Sequence, residues 1–215
     1  MKFVSFYSLA IFCFCACTKL GKNVTIEGRV MNPITGEGIE GIELELLRTT
    51  TGLPGGYKSV KSTNSNSDGN YEISKGGLAG YWLACRVPAE YYQIGWVQNG
   101  SNVTASTGNL NVKKGKTMHA DFYAVPYGEY QIKIKNINCT GSNDSIILKR
   151  TNEVGSFIAA DWVFTGCADY TTSTSKVPMG KIFTKYTVIR SGISTDFETD
   201  FMVVPNQMNY QEILY

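Results

Sequence analysis

Val24-Thr25-Ile26-Glu27-Gly28-Arg29-Val30 alternates apolar and polar side chains almost one by one. Ile42-Glu43-Leu44-Glu45-Leu46 repeats the pattern, with both glutamates on one face. Successive side chains of a strand point to opposite faces, so a two-residue period marks a half-buried β-strand. The period returns at Tyr130-Gln131-Ile132-Lys133-Ile134-Lys135. Outward from these, Tyr81 to Val87, Tyr92 to Gln98, His119 to Val125, Ser145 to Lys149, Phe157 to Thr165, Ile182 to Arg190, Phe197 to Val204 and Tyr210 to Tyr215 read as further strands. Turn residues separate them. Asn32-Pro33-Ile34-Thr35-Gly36-Glu37-Gly38 is one such cluster, and Ser67-Asp68-Gly69-Asn70 predicts a hairpin ahead of Tyr71-Glu72-Ile73. No segment sustains a 3.6-residue period. The expected fold class is all-β, with two tandem antiparallel β-sandwich domains divided at Val125-Pro126-Tyr127-Gly128.

Composition allows this and excludes other classes. The 215 residues are 43% hydrophobic and 12% aromatic, enough to fill cores. Lys plus Arg number 20 against 18 Asp plus Glu, a formal charge of +2, so there is no basic stripe for nucleic acid. One histidine and the absence of any Cys-x-x-Cys pair leave little for a zinc site. Neither a metal nor an organic cofactor is expected.

The N-terminus supplies an address. Lys2 precedes an apolar run from Phe3 to Ala16, too short for the roughly 20 residues of a spanning helix and of the right length for an export signal. Its end, Phe14-Cys15-Ala16-Cys17, resembles a bacterial lipobox, which implies a signal peptide over 1–16 and lipidation at Cys17. The alternative is an ordinary cleaved signal. Residues 17–23 then form a short lipidated tether. Thr18 stands where an Asp is associated with inner-membrane retention, so the resemblance implies an outer-membrane lipoprotein, on the surface or periplasmic face.

Four blocks in the first half carry a second resemblance: Ile26-Glu27-Gly28-Arg29-Val30, Thr35-Gly36-Glu37-Gly38-Ile39-Glu40-Gly41-Ile42, Ser67-Asp68-Gly69-Asn70-Tyr71-Glu72-Ile73 and Gly80-Tyr81-Trp82-Leu83. In order and spacing, residues 24–126 resemble a carboxypeptidase regulatory-like domain, a transthyretin-like β-sandwich. That implies a spacer, docking or stability module with no catalytic residues of its own. Thr49 to Thr63 is an insert beyond the compact pattern, expected as an elaborated edge. Residues 127–215 are expected as a second, Ig-like sandwich. Cna-B-type adhesin domains are the nearest competing sandwich. Their Lys–Asn crosslink has no counterpart on the first strand, which offers Arg29 and no lysine.

Three cysteines lie beyond the export signal. Cys139 and Cys167 fall in one domain at strand ends, so an oxidising envelope permits a disulfide between them, the alternative being two unpaired thiols. Cys85 alternates with Leu83 and Val87 and is expected as a small core residue.

Several motifs invite a chemical reading. Gly36-Glu37-Gly38-Ile39-Glu40-Gly41 matches G-x-G-x-x-G, but a dinucleotide site needs a helix next and the following residues alternate as a strand. Asn64 to Lys75 resembles a calcium loop with a cation where a bidentate Glu is required. His119, Asp121 and Tyr123 share one strand face without a nucleophile elbow. Glu43 and Glu45 serve acid–base chemistry only if set across a cleft. No catalytic residue is assigned, and an enzyme is not expected. Asp144-Ser145-Ile146 resembles an O-glycosylation site of some Gram-negative envelope proteins.

Aromatics are left as the candidate contact residues. Trp82, Tyr91, Tyr92, Trp96, Tyr123, Tyr127 and Tyr130 crowd the first domain and its junction. Tyr91, Tyr92 and Trp96 follow Pro88 in a loop-to-strand transition and are the expected binding residues. The resulting expectation is a non-catalytic, lipid-anchored envelope protein that binds a glycan or protein partner through sandwich edges or loops. The alternatives are an enzyme or accessory subunit of carbohydrate processing, and a periplasmic assembly factor.

Overall fold

The computed structural model describes residues 23–51, 55–76, 80–98, 100–102, 108–112, 115–155 and 161–215. Cys17 and the expected export signal lie outside them. In chain order the strands are β1 (Val24–Met31), β2 (Glu43–Thr50), β3 (Gly56–Asn64), β4 (Asn70–Lys75), β5 (Tyr81–Arg86), β6 (Tyr91–Gln98), β7 (Ser101–Asn102) and β8 (Leu110–Val112). There follow β9 (Thr117–Lys135), β10 (Ser145–Asn152), β11 (Trp162–Thr165), β12 (Asp169–Thr171), β13 (Ser175–Pro178), β14 (Gly180–Arg190), β15 (Ile193–Val203) and β16 (Met208–Leu214). The protein is all-β, and no helix among the described residues is long and apolar enough to cross a membrane.

The first sandwich stacks β4-β1-β9-β6-β7 on β3-β2-β5-β8. The alternation read in the sequence fills it from both sides: Val24, Ile26 and Val30 from β1 meet Leu44 and Leu46 from β2, with Phe122 and Trp96 between. The second sandwich uses the C-terminal half of β9, flanked by β16 on one side and by β12 and β13 in line on the other. It faces β11-β10-β14-β15. Its core centres on Tyr130, Ile132, Ile134, Ile146 and Leu148.

Three expectations are corrected. The sheets are not wholly antiparallel: β1 and β16 each run parallel to β9, because strands brought together from distant parts of the chain are free of hairpin constraint. The turn at Ser67-Asp68-Gly69-Asn70 does not close a hairpin. It carries the chain from β3 in one sheet to β4 in the other, where β4 pairs with β1. Nor are the strands expected at His119 to Val125 and at Tyr130 to Lys135 separate, although the sandwiches do divide near Pro126. β9 runs unbroken for 19 residues through both sandwiches and exchanges β1 and β6 for β13 and β16 near Tyr127. Pro126 has no N–H to offer a ladder, and its carbonyl accepts a hydrogen bond from Met179 N–H at 2.9 Å. Asn32, buried between the sandwiches, reaches Met179 Sδ at 3.1 Å.

Gly28 sets the approach of β1 to β9. A Cβ there would lie 1.8 Å from the Ala120 carbonyl oxygen, so only glycine fits. At this point two side chains complete the parallel ladder. Asp121 Oδ1 accepts from Arg29 N–H at 2.8 Å, and the buried Tyr71 hydroxyl donates to Ala120 O at 2.6 Å. Burial drives the Tyr71 phenol upward from its ordinary pKa. In the other sheet, burial pushes the Cys85 thiol up to about 12, so it is protonated at neutral pH and inert, packed against the first core.

Candidate functional site

The residues expected to bind part company. β6 pairs with β9 in a register that shifts between Gln93 and Gly95. Without that bulge Tyr92 and Trp96 would share a face, because side chains four positions apart along a strand point the same way. The extra residue sends them to opposite faces. Trp96 is 2% exposed, lies edge-on to Phe122 at 4.9 Å, and donates its indole N–H to Gly108 O at 2.9 Å. It is a core residue, which corrects the expectation of a contact residue. Tyr91 is half-buried against the same core. Tyr92 is half-buried at the junction, its ring 6.2 Å from Tyr127, next to a hollow of about 470 Å³ lined by Glu90, Tyr127, Glu129 and Lys176.

The motifs read for chemistry serve structure. His119 Nε2 lies 3.3 Å from Asp121 Oδ1, in an open concavity of about 610 Å³. None of the residues lining it is Ser, Thr or Cys, and the Asp121 carboxylate is engaged by Arg29 N–H. The Asn66 side-chain oxygen accepts from the N–H groups of Asp68 and Asn70 and so closes a turn from within. Glu45 is held by Arg86 Nε at 2.6 Å. The glycine-rich stretch is a loop leading into β2. Among the described residues no cluster of His, Cys, Asp and Glu is arranged to hold a metal ion.

The aromatic surface lies in the second sandwich. On β10 the inward positions are Ile146, Leu148, Arg150 and Asn152, so the strand's own alternation drives an arginine into the core face. The guanidinium lies 3.7 Å above the Trp162 ring of β11 and meets the side chain of Tyr130. The Tyr130 hydroxyl donates to Gln211 Oε1 at 2.5 Å. Burial raises the Tyr130 phenol and Arg150 opposes that rise, while burial lowers Arg150 and Tyr130 opposes.

Outward from Arg150 the rings continue. Trp162 stands edge-on to Phe164 at 6.2 Å, and Phe164 leans on Tyr170 at 5.2 Å. Tyr170 is 46% exposed. These rings bridge the gap between β11 of one sheet and β12 of the other; Trp162 and Tyr170 wall a cleft of about 240 Å³, and Phe164 links the two rings from behind. Its rim is polar. Between β12 and β13 the chain lifts from β9, and Thr172 bridges the gap, its hydroxyl accepting from Ile132 N–H at 3.1 Å. Ser173 and Ser175 add hydroxyls to the mouth.

The wall is fastened from behind. Cys139 and Cys167 are joined, with Cα atoms 5.2 Å apart, and Cys167 lies in the connection from β11 to β12. Beside it Asp144 is almost wholly buried. It accepts from the hydroxyl and N–H of Thr140 at 2.6 and 2.8 Å and from Asn136 Nδ2 at 3.1 Å. The Thr140 hydroxyl above all holds this carboxyl below the usual carboxylate range. Asp144 thus has a structural task in the segment that resembles a glycosylation site. Sequence reading missed Trp162, Phe164 and Tyr170. The one available signal was Phe164 and Tyr170 close on either side of Cys167, in the loop that its pairing with Cys139 would fix.

No protein-family model matches the chain, and no curated protein matches it. Solved structures do. The Bacillus anthracis TIE protein is similar over 89% of this chain at 14% identity and a TM-score of 0.37, and the chain spans 34% of that protein's length. The shaft pilin SpaA of Lactobacillus rhamnosus GG is similar over 90% of this chain and 97% of its own, at 10% identity and a TM-score of 0.32. GBS52, the minor pilin of Streptococcus agalactiae, is similar over 89% and 94%, at 12% identity and a TM-score of 0.35.

Proposed function

We propose that this is a non-catalytic, lipid-anchored cell-envelope protein whose second sandwich binds a glycan in the cleft walled by Trp162 and Tyr170. The observation that carries the reading is that wall: Trp162 and Tyr170 line the cleft, each in ring contact with Phe164, and Tyr170 is well exposed beside a rim of hydroxyls. A sugar ring has an apolar face that stacks on aromatics and hydroxyls that exchange hydrogen bonds with a polar rim. The polar clusters in the first sandwich are occupied in ladder and turn closure, which supports a non-catalytic role.

In this reading Cys17 carries the acyl chains and residues 18–23 are the tether. Stable anchoring needs more than one chain. The first sandwich, a carboxypeptidase regulatory-like module, spaces the second from the membrane, and the unbroken β9 transmits its orientation. Outer-membrane placement follows the Cys17-Thr18 pair.

Glycan-array screening followed by titration calorimetry tests the cleft. Trp162→Ala and Tyr170→Ala should each weaken binding about tenfold, since a stacked ring contributes about 1 kcal/mol or more beyond area burial. Unchanged affinity in both variants overturns it. Protease shaving of intact and lysed cells tests the display: loss from intact cells supports surface exposure, whereas survival until lysis turns the search to periplasmic glycans.

A further inference from the structure

The sheet β11-β10-β14-β15 has its cleft at the β11 edge, and its other edge is unfinished. β15 is 11 residues long, pairs on one side with β14, and is exposed at every residue from Ile193 to Asp200. It has no proline, lysine or register shift, and the only charges it carries along the edge are acidic. Yet one of its faces carries three large apolar side chains, interleaved with Thr195 and Thr199. Ile193, Phe197 and Phe201 lie opposite Arg190, Tyr186 and Ile182, on the core-facing side. Ile193 is nevertheless 71% exposed and Phe197 is 43% exposed. Phe197 stacks on Tyr186 at 5.1 Å, with nothing among the described residues over its outer side.

The other face is acidic. Asp196, Glu198 and Asp200 stand in a row toward solvent, and on the β14 side Lys185 meets Glu198 at 2.7 Å and Lys181 meets Asp200 at 3.1 Å. Across the sheet the charges run Lys149, Lys185, Glu198, and the next position outward calls for a cation. Antiparallel self-pairing of β15 would instead set these acids against one another.

The turn fixes which backbone groups are offered. Ser191 and Gly192 have φ of 47° and 78° and form the two-residue loop closed by Arg190 and Ile193. A loop of this kind makes its closing pair a hydrogen-bonded one, and the ladder alternates from there. Ser194, Asp196, Glu198 and Asp200 therefore turn their N–H and C=O groups to the open edge.

We infer that β15 is a docking edge for a strand of a partner protein whose side chains alternate apolar and basic. The added strand pairs with β15, covers Ile193 and Phe197 with its apolar row, and sets its basic row beside Asp196, Glu198 and Asp200. This rests on the edge opposite the glycan cleft and does not depend on that reading.

The test uses the full chain without its signal and a nine-residue blocked peptide alternating Val and Lys, with a Val/Glu peptide as control. The Val/Lys peptide should bind at least tenfold more tightly, and amide exchange should slow at least tenfold at Ser194, Asp196, Glu198 and Asp200. Glu198→Pro removes an N–H that faces the open edge and leaves the β14 ladder intact, so it should abolish binding with little change in Tm. Glu198→Gln should retain binding but weaken it. Equal binding of the two peptides, protection elsewhere, or concentration-dependent dimerisation protecting the same amides overturns the inference. The peptide comparison and exchange pattern decide it even if Glu198→Pro misfolds.

Discussion

In the first sandwich Trp96 rests edge-on against Phe122, sealed on all sides. In the second, Trp162 and Phe164 are half-buried and Tyr170 stands in solvent. The difference lies in what covers each ring. The first core is closed by strands on both sides of β9 and β2, with apolar rows from each sheet covering the other. In the second, a four-stranded sheet faces one only three positions wide, since β12 and β13 occupy the same side of β9. Tyr170 lies on β12 at the margin of the narrower sheet and Ile193 on β15 at the margin of the wider one, and both are well exposed. Uncovered apolar area favours a partner. In the function proposed above, one sandwich serves as support and the other makes the contact.

The largest expected effect separates the two tryptophans. Trp96→Ala leaves a cavity beside Phe122 and an unpaired Gly108 carbonyl, and should cost about 3–5 kcal/mol. Trp162→Ala loses a half-buried ring and its stacking on Arg150, and should cost about 1–2 kcal/mol. Urea unfolding of the two variants gives the comparison directly. Equal costs would mean that the ring wall is simply core, and the distinction between the sandwiches would collapse.

The disulfide comes next. Its sequence separation is 28, and opening a loop of that size costs about 3–4 kcal/mol on the chain-entropy account. Replacing Cys139 and Cys167 by Ser should lower the Tm of the second sandwich, while amide protection in β1 and β2 is retained. If protection fails in both together, the unbroken β9 makes them one cooperative unit, and the division of labour is not matched by separate stability.

Legibility in the sequence tracks burial. β1, β2 and the later half of β9 each have one wet and one dry face, and their two-residue period could be read directly. β3 is polar and exposed along almost its whole length, and β12 and β13 have three and four residues, so none of them shows a period. Sequence reading divides β9 into two strands at Val125 to Gly128, because a proline ordinarily marks a break and nothing local tells of partners exchanged on either side. The candidate site was less legible than the fold. Whether Trp96 points in or out depends on one bulged residue in β6, and a bulge of that kind is set by pairing with β9 rather than by local composition. The Trp162 wall depends on β11 of one sheet being set against β12 of the other, a long-range arrangement that no local pattern shows.

The smallest effect expected concerns acid, and it sharpens the comparison by asking what holds the contact sandwich in shape. Asp144 is held below the ordinary carboxylate pKa chiefly by the Thr140 hydroxyl, and Asp169 chiefly by its hydrogen bond from Lys135. A carboxyl with a depressed folded-state value contributes stability that is present above its unfolded value, about 3.9, and is lost as pH falls through the folded value. Both flank the wall, Asp144 beside the Cys139–Cys167 link and Asp169 on β12 next to Tyr170. The urea midpoint of the second sandwich should therefore be level from neutral pH down to about pH 4 and decline below it. Asp144→Asn cannot ionise, so its midpoint should start lower at pH 7 and decline less steeply in acid. Parallel declines for the variant and the natural protein would show that the Thr140–Asp144–Asn136 cluster does not brace the aromatic wall, leaving that work to the disulfide.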